Sequence, residues 1–467
     1  MSAADTTVAP QLPSGVTRPI PGELLKLALP VLASQALRLA YQWVDALWVR
    51  GLGVEATAAV TSSIFVWWLV LSMNDIFLMG VVAFTSQLLG AGERARAGVV
   101  AWHGLRASAL LGLAGTALGL FGSRAIFRGM GADAALMVCG PAYLSVVLCG
   151  APFFMVAETG AGVMRAAGDT RTPLLFDLAA VGLNAVLSPF LIYGLGPFPR
   201  LGVAGAAWAT VCAQFVLVLL FAGAALRRHR AFPLARHAPG PPVRLRSMAK
   251  VGLPAALIGT LFSVVYIAFA RAASQYGAAS MAIVGIANRI EALLFMLSVS
   301  VGTAGAAIVG QNLGAHRPDR AVATLRTGTV WILWISALLT VVIGVFADTF
   351  IALFTRDPEV HRIGVPYLRV LVICFVATGL EVVTAESVMG SGHTRVLSAF
   401  YTTISLIRIP LAFLVPKLTH SGVVGIAWVI TVTCIVRTVL IVGWAWRGSW
   451  HGGLSQEIAG PSANEGS

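Results

Sequence analysis

Residues 329–347, TVWILWISALLTVVIGVFA, contain no charged side chain. An α-helix rises about 1.5 Å per residue, so this run covers most of a bilayer core of roughly 30 Å. Lipid offers the backbone no hydrogen-bond partner, so a span must satisfy its own N–H and C=O groups as a helix or within a closed barrel. These runs are long and uniformly apolar, without the period-two alternation of barrel strands. The helix is therefore the predicted unit. Apolar runs of this kind recur along the 467-residue chain, which is 58% hydrophobic and only 11% charged. Its mean hydropathy is +0.85, whereas a soluble domain carries about a quarter charged residues. The composition specifies a polytopic all-α membrane protein.

Breaks of Gly, Pro and charge divide the chain into twelve predicted spans. The first six lie near 23–48, 58–82, 98–121, 136–157, 173–195 and 203–226, and the second six near 251–273, 281–304, 326–347, 365–387, 397–416 and 423–446. The Pro- and Arg-rich stretch 227–250 reads as a basic linker between an N-lobe at 23–226 and a C-lobe at 251–446. The flanks 1–22 and 447–467 read as cytoplasmic tails, and the Pro-containing first tail lacks the pattern of a cleavable leader.

The two groups of six share one register. A shift of 224 residues places Pro30 on Pro254, Gly53 on Gly277, Gln87 on Gln311, Asp133 on Asp357, and Gly168 on Gly392. The phrases QLLGAG (87–92) and QNLGAH (311–316) mark it most clearly, and only GVAGAAW against GVVGIAW needs a slip to 220. A constant offset across five helices indicates internal duplication. Six spans is an even number, so the copies are parallel, related by a pseudo-twofold axis along the membrane normal. Secondary transporters are built this way, with substrate sites near the midplane between repeats. Gly90-Ala91 and Gly314-Ala315 read as tight-turn residues.

The formal net charge of +13 would suit a nucleic-acid binder, but its location argues otherwise. With a cytoplasmic N-terminus, about 18 Lys and Arg fall inside and about 8 outside, the positive-inside asymmetry. Both termini are predicted to be cytoplasmic, and nucleic acid is not an expected partner. The five cysteines lie in apolar stretches without metal-type spacing and read as buried free thiols. His103, His316 and His393 stand alone, and no GxSxG elbow is present, so an enzyme is a remote alternative.

Several stretches resemble the multidrug and toxic compound extrusion (MATE) transporters. They are LALPVLASQALRLAYQWVDALWVRGLG, TSQLLGAG, RAAGDTRTPL, GLNAVLSP and GVAGAAWAT in the first half, and GIANRIEALLF, IVGQNLGA and SLIRIPLAF in the second. The likeness covers residues 24–446 in family order, and the Arg289-Ile290-Glu291 triplet makes it most similar to the DinF-like bacterial branch. The resemblance implies export of organic, often cationic, compounds against an inward flow of H⁺ or Na⁺. Expected partners are a small organic molecule and membrane lipid, with a monomer as the working unit. No cofactor or bound metal is implied beyond the coupling ion. A lipid-linked oligosaccharide flippase of the same superfamily is the alternative.

Ionisable groups inside a membrane are costly and mark function by default. In the first span Gln35, Arg38, Gln42 and Asp45 recur at i, i+3, i+7 and i+10, one helical face that should meet a wet cavity. Asp45 matches the family's first-span aspartate, which takes part in cation coupling; solvation or pairing with Arg50 is the plainer reading. Asn184 and Ser188 share a face of the fifth span, and Thr210 lies in the sixth. By resemblance these complete a cluster with Asp45, and interhelical hydrogen bonding is the alternative. Ser188 stands where many members carry Asp, which favours H⁺ over Na⁺ as the coupling ion.

Further candidates for cavity-lining polar groups are Asp75, Glu291, Glu381, Glu386 and Arg408. Asp75 is a candidate partner for Arg38, and Arg408 for one of Glu381, Glu386 or Glu291, as a structural ion pair or a functional one. The glutamates 381 and 386 are five apart and do not share a face closely. Trp43, Phe65, Trp67 and Trp68 are candidates for stacking flat cations, or for the interfacial belt.

Overall fold

The computed structural model describes residues 12–459 except 135, 228 and 230; the side chains at 42, 43, 46, 54, 65, 456 and 459 also lie outside the described residues. Helices and connecting turns make up the described residues, with no strand among them. In the first half the spans are α1 (Ile20–Arg50), α2 in two pieces (Val54–Ser72 and Asp75–Gly90), α3 (Arg94–Gly129), α4 in two pieces (Leu136–Cys149 and Ala151–Ala166), α5 (Arg171–Tyr193) and α6 (Val203–Leu226). In the second half they are α7 (Leu245–Ser274), α8 (Ala278–Gly314), α9 (Pro318–Val345), α10 (Pro358–Leu371 and Phe375–Met389, joined by a 3-10 turn at Val372–Cys374), α11 (Thr394–Leu418) and α12 (Val423–Trp446). Most run several residues past the apolar windows. Apolar composition marks the lipid slab, whereas backbone hydrogen bonding continues into the interface.

The duplication is legible in the breaks and caps. α4 bends by 44° where its pieces meet at Gly150, and α10 tightens at Cys374, the same register position. Pro152, just past Gly150, has no N–H for the helical ladder. Asp133 accepts from the Leu136 amide at 2.8 Å, and Asp357 accepts from the Glu359 amide at 2.8 Å, so the matched aspartates start α4 and α10. Gly53 and Gly277 precede α2 and α8 at φ of 107° and 96°, a region side-chain-bearing residues avoid. One break is unmatched. α2 is interrupted at Met73-Asn74, whereas α8 is continuous through the equivalent positions.

The lobes meet where the second piece of α2 crosses α8. A Cβ on Gly90 would strike the Gln311 carbonyl, and one on Gly314 would strike that of Gln87. Gly90 and Gly314 thus serve close helix approach rather than the turn itself. The turns are made by Gly92 and His316, both at positive φ. The segments flanking the lobes pack on this same side, called here the terminal face: Gly15 of a short helical turn (Ser14–Thr17) against Asn312, and Leu454 against Gln87.

Candidate functional site

Each lobe encloses a polar cluster, and the two are built differently. In the N-lobe, Asp45 is 9% exposed on α1. The Ser188 hydroxyl of α5 lies 3.5 Å from Asp45 Oδ1 and 3.4 Å from Asn184 Oδ1. Asn184 Nδ2 donates to Thr210 Oγ1 of α6 at 3.3 Å, and the Tyr41 hydroxyl lies 2.7 Å from the same oxygen. Thr210 in turn donates to the Ala206 carbonyl at 3.1 Å. All four residues expected to cluster do so. Arg50 is exposed and makes no ion pair with Asp45 among the described residues. Tyr41 was missed, although it lies one turn before Asp45, on the same face.

About two turns along α1, Arg38 Nη2 donates to Glu158 Oε2 at 2.6 Å, and Arg165 Nη2 reaches Glu158 Oε1 at 2.7 Å. Both glutamate oxygens are therefore held by guanidinium groups from α1 and α4. This corrects the proposed Arg38–Asp75 pair. Asp75 heads the second piece of α2 with its carboxylate turned towards Gly259 of α7, 4.0 Å from where a Cβ there would sit, and has no hydrogen bond or ion pair among the described residues. The sequence signal for Glu158 is an acidic residue seven positions before Arg165 on one helix face. Gln35 is half-buried, and the Gln42 side chain lies outside the described residues.

The C-lobe cluster is rich in charge. Arg437 Nε of α12 donates to Glu381 Oε2 of α10 at 2.8 Å, and its guanidinium sits 4.5 Å from the Tyr401 ring centroid. Glu381 is 1% exposed and Arg437 10%, a buried pair. The Tyr266 hydroxyl of α7 donates to Glu291 Oε2 at 2.8 Å. Arg408 is buried on α11, but not against a carboxylate. It donates to Thr433 Oγ1 at 2.6 Å and to Cys434 Sγ at 3.0 Å, and forms no salt bridge among the described residues. None of the three expected glutamates pairs with it: Arg437, one turn further along α12 than Thr433, holds Glu381, the Tyr266 hydroxyl holds Glu291, and Glu386 lies apart. Glu386 is half-buried and has no hydrogen bond among the described residues. The five cysteines are free, though Cys434 accepts hydrogen bonds and is more than filler.

Of the aromatic candidates, Trp67 packs edge-on against Phe154 at 4.3 Å inside the N-lobe, while Trp68 is 55% exposed. The side chains of Trp43 and Phe65 lie outside the described residues.

The MatE family model matches this chain twice, at residues 30–190 and 254–414. The two matches begin 224 residues apart, at 30 and 254, the offset of the repeat. The chain belongs to the MatE family. It is 26% identical over 443 residues to the probable multidrug resistance protein NorM of Thermotoga maritima, covering 94% of this chain and 95% of that one. It is 27% identical over 431 residues to the FAD transporter of Shewanella oneidensis, covering 91% and 94%. In fold it is similar to a MOP superfamily transporter from Pyrococcus furiosus, at a TM-score of 0.85 and 24% identity over 95% of this chain and 98% of that one. The expected architecture of twelve spans in two lobes is borne out: among the described residues eleven helices are long and apolar enough to cross a membrane, and the bent α4 pair makes the twelfth. This MatE protein is a multi-pass membrane transporter of small molecules, not an enzyme.

Proposed function

We propose that this protein is an H⁺-coupled exporter of organic cations, in which Asp45 takes up and releases the coupling proton as two lobes rock about the central cleft. The observation that supports the ion is a shortage of hydrogen atoms. Ser188 has one hydroxyl hydrogen and faces two acceptors, Asp45 Oδ1 at 3.5 Å and Asn184 Oδ1 at 3.4 Å. A proton on Asp45 supplies the missing donor: Asp45 donates to Ser188, and Ser188 to Asn184. A Na⁺ ion would instead be left with one carboxylate, because Ser188 offers only a neutral oxygen where many family members carry an aspartate. The cytoplasmic placement of the terminal face and the bacterial inner membrane belong to the same reading, as does a single chain as the working unit.

The test is export from proteoliposomes. An imposed pH gradient is expected to drive ethidium transport, and Asp45→Asn to lower it by on the order of a hundredfold, the scale lost with a proton-transferring group. Transport that runs on a Na⁺ gradient and ignores a pH gradient would overturn the choice of ion. A second reading of the cargo rests on Arg408, a buried guanidinium that forms no salt bridge among the described residues, which suits an organic anion. Flavin transport with no ethidium transport would select that reading.

A further inference from the structure

Gln87 and Gln311, the first residues of the repeated phrase, are 1% and 0% exposed. Gln87 Nε2 donates to the Gly390 carbonyl at the end of α10 at 3.0 Å, and Gln311 Nε2 to the Ala166 carbonyl at the end of α4 at 2.8 Å. Each bond crosses from one lobe to the other. The donors are 224 residues apart, and so are the acceptors Ala166 and Gly390. The pair therefore obeys the pseudo-twofold relation, on either side of the Gly90/Gly314 crossing. We propose that Gln87 and Gln311 are a paired latch that holds the lobes shut at the terminal face, and that each transport cycle breaks both bonds.

The latch is strapped unequally by the segments flanking the lobes. Gln87 Oε1 accepts from the Leu454 amide at 2.8 Å, so the segment after the C-lobe locks the N-lobe glutamine at both ends of its amide. Gln311 Oε1 lies against Gly15 and is buried with no hydrogen-bond partner among the described residues. Asn312 Nδ2 instead holds the Gly15 carbonyl at 3.0 Å. Equivalent arginines in the first turns of α3 and α9 hold the straps. Arg96 donates to the carbonyls of Pro241 at 2.9 Å and Ile458 at 2.6 Å, and Arg320 to that of Arg18 at 2.6 Å. Four backbone segments thus meet at two glutamines, and lobe separation would strand buried polar groups unless water enters as the bonds break.

The experiment measures the gate itself. Spin labels attached through bioorthogonal side chains at positions 171 and 395, exposed and equivalent in the two lobes, report lobe separation in nanodiscs with the native cysteines intact. Gln87→Met and Gln311→Met keep side-chain length and lose the N–H donor. Each is expected to raise the ratio of open to closed lobes by several-fold to about tenfold, with the larger effect at Gln87, and the double variant to approach the product. Truncation after Trp450 should reproduce part of the Gln87→Met shift and add little to it. Ser86→Ala, at the same crossing but bonded only within its own helix, should leave the distances unchanged. An unchanged distribution in the folded double variant overturns the latch. So does an equal shift in Ser86→Ala, which would reduce the effect to general packing.

Discussion

The N-lobe and C-lobe share one backbone plan but bury opposite kinds of polar chemistry. Asp45, Asn184, Ser188 and Thr210 form a cluster with one carboxylate and no cation, joined by hydroxyl and amide groups. At the equivalent positions the C-lobe has Phe269 for Asp45 and Arg408 for Asn184; it pairs Glu381 with Arg437 and holds Glu291 through the Tyr266 hydroxyl. Arg437 holds Glu381 as half of a buried ion pair, whereas Asp45 has no cation paired with it among the described residues. Duplication supplied two lobes of one plan, and substitution then gave each its own polar chemistry.

This contrast is open to direct attack. The largest expected effect is on stability in the C-lobe. Arg437→Met should cost about 3–5 kcal/mol, because it strands Glu381 in the interior, while adding Glu381→Leu should recover most of it. Thermal unfolding in nanodiscs measures both, and a single variant no worse than the double would show that the pair is not structural. Next is Asn184→Ala, expected to lower gradient-driven transport by up to about tenfold, since it removes the bridge between Ser188 and Thr210. Unfolding should barely move, in contrast to Arg437. The smallest is Arg38→Met, at under about 1 kcal/mol, because Arg38 is 45% exposed and Arg165 still holds Glu158. A loss as large as that of Arg437 would make the Arg38–Glu158–Arg165 group a second structural core and erase the contrast between lobes.

Much of this molecule could be read directly from the chain, for a physical reason. Lipid forces each span to satisfy its own backbone hydrogen bonds, so apolar runs mark twelve spans even where a helix is bent or broken, and a constant 224-residue offset marks two parallel lobes. The helix-face argument works for Asp45, Asn184 and Ser188 because period and spacing are local properties. It fails for Arg38 and Arg408, whose partners lie on other helices and are chosen by competition: Arg38 bonds Glu158 rather than Asp75, and Arg437 takes Glu381, one of the three carboxylates considered for Arg408. The repeated QLLGAG and QNLGAH phrases divide in the same way. Their spacing announced a duplication, but a one-dimensional string cannot show that Gln87 points at Gly390 and Gln311 at Ala166. Only the crossing of two helices at Gly90 and Gly314 brings those groups within reach, because small residues let the backbones approach there.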